Sequence, residues 1–141
     1  MQVLLTAHPR YPYLCGEQHE MRLSCLAGIE AEMSLKDSKG RILAEHKEGK
    51  TIIHHRYAID GATCAPDFKR GMRGFFVHDL YLQFLDKYPG AFPEQLAHDA
   101  MLEAHELDNF RLAKIYHWAV SSWPRKLYVR ACEWLTKMKN D

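Results

Sequence analysis

The spacing of apolar residues changes once along this chain, at about residues 67–69. Before that point short apolar runs alternate with turn-forming residues, and after it apolar positions recur every three or four residues. The first rhythm predicts strands and the second predicts amphipathic helices. Residues 2–5 read as a short strand, and Pro9 and Pro12 then break regular structure beside Tyr11 and Tyr13. Residues 21–34 fit two templates. Met21, Leu23 and Cys25 alternate as in a strand, whereas Leu26, Ile29 and Met33 keep helical spacing, and a strand is preferred at the start. Asp37-Ser38-Lys39-Gly40 is a turn signal, so 32–35 and 41–45 should pair as a hairpin. Lys47-Glu48-Gly49-Lys50 gives a second turn. The β-branched and aromatic run from Thr51 to Ile59 reads as one strand that ends in the loop Asp60–Pro66.

In the second half, Val77, Leu80, Tyr81, Phe84 and Tyr88 share a helical face, and Pro89-Gly90 stops that helix. Pro93 suits the first turn of the next, whose apolar face is Leu96, Ala100, Met101, Ala104 and Leu107. Leu112, Ile115, Tyr116, Ala119 and Val120 predict a third helix ending at Pro124. Leu127, Ala131, Trp134 and Leu135 suggest a fourth. The expected fold is therefore α+β: an N-terminal β-hairpin or small antiparallel sheet, followed by a bundle of three to four α-helices. Residues 1–141 form a single domain, with 1–66 its β-rich half and 67–141 its helical half.

Composition agrees with a globular domain, at 47% hydrophobic and 26% charged residues. The net charge of +1 and the absence of a long one-sign block argue against a nucleic-acid binder. Lys and Arg gather near the C-terminus, where they read as the solvated face of a last helix. Trp118, Trp123, Tyr128 and Trp134 in the same stretch suit internal packing or a partner, internal packing being commoner. The four cysteines (15, 25, 64 and 132) form no C-x-x-C pair and read as reduced thiols. No signal peptide and no transmembrane segment is expected.

The candidate chemistry centres on His78-Asp79, set in the apolar helix Phe76–Tyr81. Successive helical residues point about 100° apart, so the two do not simply pair, and each needs a partner. Asp99 on the next helix could lie across from His78, fix its tautomer and stabilise its charged form. His78 would then be a general base, and Asp79 would be left for a hard cation. Asp60 could join it as a metal ligand, with Gly61 and Thr63 presenting the loop to an ion or anion. The remaining histidines read as structural. His54 and His55 point to opposite faces of a strand, His98 and His105 read as surface residues, and His117 as a core or boundary residue.

Four short motifs in order resemble a phage-associated family of unknown function: Asp60-Gly61-Ala62-Thr63 with Pro66, His78-Asp79, Asp99, and Tyr116-His117-Trp118-Ala119-Val120. The resemblance covers about residues 51–123 and leaves residues 1–50 without a counterpart. Thr63 stands where the family has Ser, Tyr81 falls one position early, and His98 splits an Ala-Asp pair. The His-Asp helix followed by an Asp-bearing helix also resembles secreted phospholipase A2. That likeness implies His78 activating water, Asp99 orienting it, and Asp79 helping to bind Ca2+ or another divalent cation; Tyr81, with Gly61 and Thr63, is expected near the substrate. A lipid ester or a phosphoester would be the substrate. The phage likeness implies instead a virion component, or a factor binding a host or phage protein, located in the host cytoplasm or the virion.

Overall fold

A computed structural model describes residues 3–5, 13–59 and 69–124, with backbone alone at 3–5, 13, 14 and 69. It also describes residues 127, 130, 131, 133, 134, 137 and 138, which have helical backbone. Among the described residues seven strands precede three α-helices, α1 to α3, so the α+β order is the observed one. Strands β1 (Val3–Leu5), β2 (Tyr13–Cys15) and β7 (Ala58–Ile59) form one antiparallel sheet in the order β1-β2-β7. Strands β3 (His19–Met21), β4 (Met33–Lys36), β5 (Ile42–Lys47) and β6 (Lys50–Ile53) form a second, in the order β3-β6-β5-β4. Helices α1 (Met72–Lys87), α2 (Glu94–Leu107) and α3 (Ala113–Ser122) follow.

Both predicted turns in the second sheet are present. Glu48 and Gly49 between β5 and β6 have φ of 52° and 72°, the pair of positive values that a two-residue hairpin turn needs. The β4–β5 turn is tied by Asp37, whose carboxylate accepts from the amides of Lys39 and Arg41 and from the Arg41 guanidinium.

Two expectations are corrected. The single strand expected from Thr51 to Ile59 is two strands in two sheets, because the chain turns at His54–Arg56, where Arg56 has a φ of 82°. His54 and His55 therefore lie in a turn rather than on opposite faces of a strand. The strand expected to run on from Met21 stops there, and Ser24–Leu26 is a 3-10 turn. Glu103 of α2 explains that turn: its carboxylate accepts from the amides of Ser24 and Cys25 and from the Ser24 hydroxyl.

The register of the second sheet aligns Met21, Thr51, His46 and Met33 in one row across its four strands. All four are buried, so two of the four members of a core row are polar. Such groups must be hydrogen-bonded. Helix α1 supplies the bond through Tyr81, which is 0% exposed. Its hydroxyl lies 2.7 Å from His46 Nδ1 and 2.7 Å from Thr51 Oγ1. His46 Nε2 faces the carbonyl of Ile29 at 3.1 Å and must donate to it. Nδ1 is then an acceptor, so Tyr81 donates to His46 and accepts from Thr51. Around this chain, Phe76, Val77, Leu80 and Phe84 of α1 pack into the core with Leu23, Leu26 and Ile53.

Tyr81 was expected near the substrate. Its hydroxyl is instead occupied inside the core, and burial pushes the phenol well above its ordinary pKa. Tyr81→Phe should lower stability by about 1–3 kcal/mol, because it leaves His46 and Thr51 buried with unmet hydrogen bonds. Urea unfolding followed by circular dichroism measures this.

Candidate functional site

Helices α1 and α2 are antiparallel neighbours joined across the Pro89-Gly90 break, as their short connection predicts. Gly74 sets their closest approach. A Cβ there would run into the ring of His105, whose Nε2 donates to the Gly71 carbonyl at 2.9 Å. At the end of α2, Arg73 makes a two-pronged ion pair with Asp108, at 3.0 and 2.7 Å. One turn along α1 from Gly74, on the same face, stands His78.

The residue facing His78 is His98, not Asp99. His78 Nε2 and His98 Nδ1 are 2.9 Å apart, so one ring nitrogen donates and the other accepts. His98 is 7% exposed and His78 is half-buried. Asp99 lies one residue on, about 100° around the helix, which turns it toward α3. There its Oδ1 accepts from His117 Nε2 at 2.8 Å and from Gln95 Nε2 at 3.0 Å. The expected His78–Asp99 pairing is therefore replaced by two pairings that share the middle turn of α2: His78 with His98, and Asp99 with His117. Partial burial raises the Asp99 carboxyl. The hydrogen bonds from Gln95 and His117, with the charges of His117 and His98, outweigh that and hold it below its ordinary value.

His98 and His105 are buried, which corrects their expected place on the surface. The apolar pattern of α2 hid them, because both fall on the face that meets α1. The clue in the sequence was spacing: His98 and His105 are seven residues apart, so they share one face of α2. His117 is a boundary residue, as expected, with its side chain 26% exposed. Asp79 is half-buried beside His78. Asp60, Gly61 and Thr63 lie outside the described residues.

The arrangement offers two kinds of proton chemistry. In the His78–His98 pair one imidazole fixes the tautomer of the other. In the Asp99–His117 pair a carboxylate accepts from an imidazole and fixes which ring nitrogen carries the proton. Among the described residues no three His, Cys, Asp or Glu side chains are grouped to hold a metal ion. Cys15 and Cys25 are free thiols, as expected. Burial, and then the Glu103 carboxylate, push the Cys25 thiol up to about 12, which leaves it a poor nucleophile. No helix among the described residues is long and apolar enough to cross a membrane.

Comparison with protein-family models, with curated proteins and with solved structures gave no match.

Burial lowers the pKa of His105 below its ordinary value of 6.5, and that of His19 moves the same way. The unfolded chain therefore takes up these protons first as pH falls. The stability these neutral rings contribute is complete above 6.5 and is lost as pH drops from there toward their lower folded values. Melting temperature should fall between pH 7 and pH 5, and less steeply in His105→Gln. Thermal scans across that range test both.

Proposed function

We propose that this chain is a phage-type ester hydrolase in which His78 is the general base and His98 orients it. The observation that carries the reading is the 2.9 Å contact between His78 Nε2 and His98 Nδ1. In the tautomer where His78 Nε2 donates to His98, Nδ1 would be the atom through which His78 takes a proton from water. His98 takes the part that the sequence had given to Asp99. A neutral imidazole stabilises a protonated partner less than a carboxylate does. The charge of Asp99 nonetheless favours the protonated pair from one residue away. Asp99 and His117 then act as positioning residues.

Asp79, with Asp60, would supply carboxylates to Ca2+ or another divalent cation, and such an ion would polarise the ester carbonyl or phosphoryl oxygen. A lipid ester is the first substrate to test and a phosphoester the second.

Hydrolysis of both substrate types should be screened with calcium, magnesium, manganese and zinc, and ion binding measured by calorimetry. His78→Ala should lower turnover by roughly 100-fold or more while the protein stays folded. Asp79→Asn should weaken ion binding. Asp99→Asn should cost about tenfold, since it acts through charge rather than contact. Turnover that survives His78→Ala but is lost in His117→Ala would move the base to α3. No hydrolysis and no ion binding would overturn the reading and leave a non-catalytic virion component, or a factor binding a host or phage protein.

A further inference from the structure

We propose that α3 and the stretch after Pro124 form a surface that attaches this protein to anionic lipid membranes. Among the described residues, six of the eight most exposed large apolar side chains fall in this one part of the chain. They are Ile115 and Trp118 (both 62% exposed), Trp123 (46%), Leu127 (54%), Trp134 (61%) and Met138 (58%). Internal packing, the commoner fate of such residues, does not occur for the three tryptophans. At helical spacing Leu127, Trp134 and Met138 share one face, as Ile115 and Trp118 do on α3. Exposed apolar side chains grouped in this way mark an interaction surface.

Charge names the partner. Residues 113–141 carry six Lys or Arg against two Asp or Glu, a net +4. Residues 1–112 carry thirteen against sixteen, a net −3. The chain is thus polarised, with its cationic charge mixed into the exposed apolar stretch. Arg130 and Lys137, both exposed, sit to one side of the Leu127–Trp134–Met138 face. Trp and aliphatic residues beside Lys and Arg suit the headgroup boundary of an anionic bilayer, where the rings and chains enter and the cations stay with the phosphates. A protein interface would shed Lys from such a patch. Nucleic acid would use the tryptophans but not the exposed aliphatic Ile115, Leu127 and Met138. The surface does not depend on the hydrolytic reading.

The protein reports on this surface by itself, since its three tryptophans are all part of it. Mixed with vesicles of phosphatidylcholine and phosphatidylglycerol, the parent should co-sediment and its fluorescence should shift to the blue. Vesicles of phosphatidylcholine alone should do neither, and added salt should reverse the binding. Arg130→Gln and Lys137→Gln should each weaken partition roughly fivefold. Trp118→Ser with Trp134→Ser should nearly abolish it while circular dichroism stays unchanged. His78→Ala should bind as the parent does, so loss of catalysis and loss of attachment are separable. Absence of binding to anionic vesicles overturns the proposal, as does equal binding to neutral ones. Preferential binding of a single-stranded oligonucleotide, with the same blue shift, overturns it in favour of nucleic acid.

Discussion

One hydroxyl joins the second sheet to the helices. The second sheet places Thr51 and His46 in the middle of a core row, and neither can be enclosed without a partner. Tyr81 meets both, and His46 Nε2 donates to the Ile29 carbonyl. The sheet closes over α1 without leaving these two groups unpaired because α1 presents Tyr81 at this level. An apolar contact tolerates sliding, whereas a chain of directed hydrogen bonds does not. The polar row therefore fixes both the height and the rotation of α1.

The candidate site begins on the same helix, three residues before Tyr81. On the same helix Tyr81 meets the sheet, while Gly74 and His78 meet α2. Gly74 allows the close approach that His105 fills, and His78 meets whichever side chain α2 offers at that level. On α2 the choice between His98 and Asp99 is one of helical angle alone. His98 faces α1, and Asp99 faces α3 with His117. Two imidazole pairings on either side of one helix turn result.

The sequence made the periodic elements legible and the contacts between them much less so. The hairpin turns could be read from Asp37–Gly40 and Glu48-Gly49, whose chemistry is local. The helices could be read from apolar spacing and from Pro89-Gly90. The division of Thr51–Ile59 between two sheets could not be read, because its composition is uniformly strand-like and the turn at Arg56 uses a residue with no turn preference. His46 carried no signal at all. An isolated His in a strand gains meaning only from Tyr81, thirty-five residues further on. The site was legible as a region but not as a set of pairs. A shift of one residue on a helix changes direction by about 100°, and spacing alone does not fix where the helix starts its rotation.

The hydrogen-bond chain through Tyr81 also bears on the order of folding. Strands β4, β5 and β6 pair through turns of a few residues and can form early, since short loops close at little entropic cost. The bond from α1 joins positions thirty and thirty-five residues apart, and it forms only when sheet and helix are both in place. Contacts that form after the transition state slow unfolding rather than speed folding. They hold the folded protein against opening more than they hasten its formation. A polar row completed last would lengthen the lifetime of the native state rather than speed its arrival.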